Sequence, residues 1–95
     1  MAWEVVYRPQ FIRDLARMPE SPRKEVEQFA FDVFPAADNP FAVPGLEKMS
    51  GFKDYYKARF GVFRVGIRVV RKNRVVEFQR VLNRRDIYRH FPSAG

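Results

Sequence analysis

With 95 residues the chain has room for one domain and one modest core, near the lower end of the size range in which a protein folds without disulfide or metal staples. Hydrophobic residues make up 46% and aromatics 16%, which argues against whole-chain disorder, and the absence of Cys excludes disulfides, thiolate metal sites and cysteine nucleophiles. The net charge of +7 is unevenly placed: thirteen of the eighteen Lys and Arg residues follow Glu47, offset only by Asp54, Glu77 and Asp86, so the C-terminal half carries +10 and the first 47 residues −3. Gathering repelling charges in one region implies a polyanionic partner. No basic segment leads into an apolar one at the start, and no apolar run is long enough to cross a bilayer, so a soluble cytoplasmic protein without a membrane partner is expected.

Trp3 to Tyr7 is rich in β-formers and stops before Pro9, which reads as a short first strand. Phe11, Ile12, Leu15 and Met18 then recur at helical spacing up to Pro19. Ser21 as cap and Pro22 at the first helical position predict a second helix, with Val26, Phe29, Ala30 and Val33 along one face. The two helices form an αα-hairpin. Pro35 to Gly45, with three prolines, reads as a loop whose Phe41 and Val43 tuck against the core. After Leu46 to Met49 come three β-rich runs, Asp54 to Phe60, Phe63 to Arg71 and Arg74 to Leu82, joined by Gly61-Val62 and Lys72-Asn73. Two-residue connections mean hairpins, and Gly61 suits a type II′ turn. Asn83 is placed to cap a short helix through Tyr88 that ends at Pro92. The expected fold is a single α+β domain over residues 1–95: a small, mostly antiparallel sheet with an N-terminal strand, a helical hairpin on one face, a three-stranded meander and a short C-terminal helix.

Antiparallel pairing through Gly61-Val62 puts Arg59 opposite Arg64, Lys57 opposite Gly66 and Tyr55 opposite Arg68. A turn at Lys72-Asn73 sets Arg68 opposite Glu77, Gly66 opposite Gln79 and Arg64 opposite Val81. One face then carries Lys57, Arg59 and Arg64 around the bare Gly66, a floor for a backbone or base, and Arg85 points to the same end. The other face carries Tyr56, Ile67, Phe78, Ala58, Val65, Phe60, Phe63, Leu82 and Arg80, and is the core side. Arg59 against Arg64 is a like-charge pair that costs a few tenths to about 1 kcal/mol unless an anion arrives. Cations on an outward strand face also serve solubility and edge protection, and Arg68 beside Glu77 fits that reading. Arg80 is expected to snorkel or to pair with an acid from the helices. His90, the one histidine, reads as a bystander, and no cluster has metal-ligand spacing.

The order of elements, with Tyr56-Lys57-Ala58-Arg59-Phe60-Gly61, Phe63-Arg64-Val65 and Val81-Leu82-Asn83-Arg84-Arg85-Asp86-Ile87-Tyr88, resembles the RelE/ParE toxin superfamily over nearly the whole chain. The resemblance to its RelE branch implies a ribosome-dependent endoribonuclease that cuts mRNA without metal or other cofactor, by attack of the 2′-hydroxyl on the adjacent phosphate. It assigns Lys57 as general base, a role that neighbouring cations assist by disfavouring its charged form. Arg59 is a second basic position, Arg64 holds the phosphate and its developing charge, and Arg85 helps protonate the leaving oxygen. Lys53, Arg68 and Arg84 would contact RNA, with Tyr88 or Phe91 stacking on it. The Arg-Arg-Asp segment is also familiar from the ParE branch, which implies the alternative of a DNA gyrase poison without RNA cleavage. Either branch implies a cognate antitoxin and a hetero-oligomer with it.

Overall fold

The computed structural model describes residues 3–92. Strand β1 (Glu4–Tyr7) leads into helix α1 (Pro9–Ala16), helix α2 (Glu20–Gln28), a π-helical turn (Phe29–Val33) and its continuation α3 (Phe34–Ala36). A 3₁₀ turn (Pro40–Ala42), β2 (Leu46–Lys48), β3 (Tyr55–Phe60), β4 (Phe63–Val70), β5 (Val75–Asn83) and α4 (Ile87–His90) follow. The five strands form one sheet in the order β1-β5-β4-β3-β2. Among the described residues only β1 against β5 is parallel, and the chain between them, through the helices and then β2 to β4, supplies the long connection that a parallel neighbour needs. The expected α+β architecture is thus present, with Leu46–Lys48 as a fifth strand at the edge beside β3.

Helices α1 and α2 cover one face. Phe11, Leu15, Val26, Phe29, Ala30 and Phe34 pack there against Tyr56, Ala58, Val65, Ile67, Phe78 and Val81. Phe11, Val65, Ile67 and Phe78 are fully buried.

Helix α2 begins earlier than expected. Pro19 is its N-cap, and the Arg23 N–H donates to the Pro19 carbonyl at 3.0 Å. Ser21 and Pro22 therefore lie inside the first turn, where a missing N–H is harmless because those donors have no helical partner anyway. Pro35 does not break the chain into a loop either. The π-helical turn lets the Phe34 N–H reach back to the Phe29 carbonyl, and Pro35 then sits within α3. That shift takes from Ala30 the donor an α-helix would supply, and Pro35 has no N–H to replace it. The Tyr7 hydroxyl donates to the Ala30 carbonyl instead. The loop proper is shorter, with the Asn39 side chain accepting from the Phe41 N–H at 3.0 Å.

At the first hairpin Gly61 takes φ +60° and Val62 stays out of the left-handed region, as a type II′ turn requires. The second connection spans Arg71 to Arg74, with Arg74 rather than Asn73 at positive φ (55°), yet Arg68 still faces Glu77. Beyond that pair the register departs from expectation. Ile67 pairs with Phe78 but Gly66 pairs with Arg80, so Gln79 is an extra residue and β5 bulges. Arg64 consequently faces Leu82 and not Val81. Val81 turns into the core, and Leu82 moves to the outward face.

The bulge is held from the helix side. Arg80 Nε and Nη2 donate to the Asp14 carboxylate at 2.7 and 3.1 Å, and the Val81 N–H donates to it at 3.1 Å. Asp14 is 3% exposed, and this fork satisfies the charge that burial would otherwise penalise. The acid from the helices expected for Arg80 is Asp14.

Helix α4 sits on the opposite, outward face. Ile87 and Phe91 are each 1% exposed and form a second apolar cluster with Met49, Tyr55 and Leu82. Asn83 does not cap α4 itself. Its side chain accepts from the Arg85 N–H at 3.0 Å and shapes the turn before the helix, whose N-cap is Asp86. A single four-residue turn is unstable alone. Burial of Ile87 and Phe91, on the order of 2 kcal/mol each, is what holds it.

Candidate nucleic-acid interface

Strand alternation brings the expected cations together. In β3 and β4 Lys57 pairs with Gly66 and Arg59 with Arg64, so Lys57, Arg59 and Arg64 share the outward face. Lys57 Nζ donates to the Tyr88 hydroxyl at 2.8 Å and lies 5.4 Å from the centre of its ring. Tyr88, 56% exposed, thus presents its ring beside Lys57.

Arg59 and Arg64 do not stand as an unrelieved like-charge pair. Arg59 Nε lies 3.0 Å from Glu47 Oε2, and its Nη2 donates to Oε1 at 3.3 Å. Glu47 is the β2 partner of Lys57 and stands on the same face. Arg64 Nη1 donates to the carbonyls of Gly61 and Phe63 at 2.9 and 3.0 Å, folding the guanidinium back over its own hairpin. The repulsion is relieved by one carboxylate and two carbonyls. Arg59 is 61% exposed, and Arg64 is half-buried.

The remaining positions divide. Arg84 and Arg85 are exposed in the turn between β5 and α4, where the Arg84 N–H donates to the Val62 carbonyl at 2.8 Å and ties that turn to the hairpin carrying Arg64. Lys53 is exposed in the connection before β3. Arg68 lies 3.9 Å from Glu77 and 5.9 Å from the Tyr55 ring centre, with its Nε buried and lacking a hydrogen-bond partner. Phe91 offers no stacking surface, being buried. Nor is Gly66 an open floor, because the Phe91 ring covers it. Of the two aromatics weighed for stacking, Tyr88 is the accessible one.

Two contributors escape sequence reasoning. Glu47 lies in a three-residue strand too short to show alternation, and Asp14 reads as one more polar residue on the outer side of α1. A cleft of about 480 Å³ between the end of α1 and the β5–α4 turn is lined by Asp14, Arg17, Arg80, Asp86 and His90 among others. Its buried carboxylate is already committed to Arg80 and Val81. No helix among the described residues is long and apolar enough to cross a membrane.

Sheet, helical hairpin and cationic face together define a protein with the fold of the RelE toxins. The RelB–RelE antitoxin–toxin complex from Methanococcus jannaschii superimposes with a TM-score of 0.74 at 28% identity, covering 92% of this chain and 99% of that one. The archaeal RelE–RelB complex from Pyrococcus horikoshii OT3 shares the fold, with a TM-score of 0.68 at 24% identity over 88% of this chain and 97% of that one. The chain belongs to the ParE toxin family of type II toxin–antitoxin systems, whose model matches residues 5–88. Among curated relatives, Toxin RelE3 of Methanocaldococcus jannaschii is 29% identical over 89 residues, spanning 94% of this chain and 99% of that protein.

Proposed function

We propose that this toxin is a ribosome-dependent endoribonuclease that cuts mRNA and is neutralised by a cognate antitoxin. The observation that carries the reading is the one sheet face on which Lys57, Arg59 and Arg64 stand together, with Lys57 held against an exposed tyrosine. In this reading Lys57 takes the proton of an RNA 2′-hydroxyl. The 2′-oxygen bonds to the adjacent phosphorus and the bond to the 5′-oxygen breaks, leaving a 2′,3′-cyclic phosphate and a 5′-hydroxyl. A water molecule beside Arg85 gives the 5′-oxygen the proton that completes the hydroxyl, and Lys57 returns its own to solvent. Arg64 exchanges its two carbonyl partners for phosphate oxygens, whose charge grows in the transition state. Arg59 adds a second fork, Tyr88 stacks on a base, and Lys53, Arg68 and Arg84 meet the flanking backbone.

Arg64→Ala is expected to abolish cleavage of ribosome-bound mRNA and leave the thermal unfolding curve in place, because among the described residues the Arg64 side chain bonds only hairpin carbonyls. Unchanged cleavage in that variant removes the assigned role. The antitoxin is supported by relatives solved as RelE bound to RelB from Methanococcus jannaschii, Mycobacterium tuberculosis and Pyrococcus horikoshii. A second reading, a DNA gyrase poison without RNA chemistry, is favoured by the ParE description of the matching family. Mapping transcript ends after brief induction separates the two: intact mRNA with accumulated gyrase-cleaved DNA selects the second.

A further inference from the structure

We propose that Phe91 seated on Gly66 is the device that sets Tyr88 against Lys57, making Phe91 and Gly66 positioning residues of the cationic site. Gly66 is the direct cross-strand partner of Lys57, so a side chain resting on Gly66 lies one strand spacing from Lys57. A Cβ placed on Gly66 meets Cγ, Cδ1 and Cδ2 of Phe91 at 2.6, 2.7 and 2.7 Å, closer than real carbon contacts come. The Phe91 ring therefore fills a notch that only glycine leaves open. Its φ does not call for glycine, since Gly66 is not among the glycines at positive φ. Close approach is the remaining physical reason for the residue.

The ring is held on every side that counts. It lies edge-on to Tyr55 with centroids 5.4 Å apart, and it shares its cluster with Met49, Leu82 and Ile87. The Phe91 N–H donates to the Ile87 carbonyl at 2.8 Å, so Phe91 and Ile87 act as one apolar edge of α4. Tyr88 follows Ile87 directly and projects from the neighbouring side of the same turn. Asp86 gives α4 no side-chain cap, and one turn cannot hold its own conformation. The Tyr88–Lys57 hydrogen bond is at the surface and is too weak to fix the segment. The buried edge formed by Ile87 and Phe91 does that, and Gly66 sets the depth at which it seats.

This assignment of positioning roles to the cleavage site rests on the endoribonuclease reading, but its geometric core does not. The test uses the full-length chain and the variants Gly66→Ala, Phe91→Ala, Phe91→Leu and Gly66→Ala/Phe91→Ala. Nuclear Overhauser contacts between the Tyr88 ring and the Lys57 side-chain methylenes report the placement, and amide dispersion reports the fold. Gly66→Ala and Phe91→Ala are expected to lose those contacts with the sheet intact. Phe91→Leu, which keeps apolar bulk above Gly66, is expected to retain part of them. In the Phe91→Ala background, adding Gly66→Ala should change little further, because the clashing ring is gone.

On ribosome-bound mRNA, kcat is expected to fall roughly 10- to 100-fold in each single Ala variant, the scale on which small misplacements act, with a smaller change in KM. Persistence of the Tyr88–Lys57 contacts in a folded Gly66→Ala or Phe91→Ala protein overturns the proposal, as do additive losses in the double variant. Should Gly66→Ala fail to fold, Phe91→Ala and Phe91→Leu decide the matter alone. If the unaltered protein cleaves no mRNA, the endoribonuclease reading fails, and the contacts still decide the positioning.

Discussion

At the scale of single residues, Asp14 and Tyr7 do more than their places in the sequence suggest. Asp14 takes both nitrogens of the Arg80 fork and the Val81 N–H while almost wholly buried. Asp14→Ala leaves a largely buried guanidinium and a backbone donor unpaired, and is expected to lower stability by about 3–5 kcal/mol, read as a shifted urea midpoint with an unchanged slope. Asp14→Leu combined with Arg80→Met should recover part of that loss, since it removes the stranded charge as well. Tyr7 is a different case. Burial raises the pKa of its phenol above the ordinary 10.0, and the nearby Asp32 carboxylate adds to the rise. Burial disfavours the phenolate, so the stabilisation is complete below about pH 10 and is lost as pH climbs through the raised folded-state value. The difference in unfolding free energy between the unaltered chain and Tyr7→Phe should therefore hold constant up to about pH 10 and narrow above it. A gap that widens in alkali would contradict the assignment.

At the scale of elements, the π-helical turn, the β5 bulge and α4 each redirect side chains that regular geometry would point elsewhere. Pro35 forces the first. With its N–H missing, the Ala30 carbonyl depends on the Tyr7 hydroxyl. Pro35→Ala restores a donor, so the segment is expected to return to an α-helix, and Tyr7→Phe should then cost less than the roughly 1–3 kcal/mol due to a stranded buried carbonyl. A double-mutant cycle in urea measures that coupling, and strict additivity would refute it. The bulge at Gln79 turns Leu82 outward, which supplies the apolar seat for Ile87 and Phe91. In an unbulged ladder Leu82 would face the helices, and Ile87 and Phe91 would lose that part of their bed on the outward side.

At the scale of the whole molecule, the charge surplus of the C-terminal half meets only partial internal compensation. Glu47 holds Arg59 and Glu77 lies near Arg68, while Lys53, Arg84 and Arg85 are exposed. Binding to single-stranded RNA is expected to weaken steeply with salt, the slope of log K against log salt falling by about 0.7 for each phosphate contact removed. Arg64→Ala should lower that slope by roughly one contact. Glu47→Gln should act oppositely and tighten binding, because it frees Arg59 from its carboxylate. Affinities measured over a salt series check both, and tighter binding on loss of Arg64 would refute the assigned contact.

Much of this molecule follows from local chemistry alone. Gly61 announces the type II′ hairpin, and the hairpin sets Lys57, Arg59 and Arg64 on one face by strict alternation, as the β3–β4 register bears out. The helical hairpin over the apolar face follows in the same way from spacings of three and four. What alternation cannot foresee is an inserted residue: the Gln79 bulge depends on Asp14, 65 positions earlier, accepting from Arg80 and Val81. Nor can it say which face a single helical turn will choose. That choice was made by contacts among Met49, Tyr55, Gly66, Leu82, Ile87 and Phe91, residues far apart in the chain whose burial has value only once the sheet has brought them together. Periodicity thus determined that Lys57, Arg59 and Arg64 share a surface, and tertiary packing decided the faces beyond the bulge and which of the outward side chains are covered, which are paired and which remain open to a ligand.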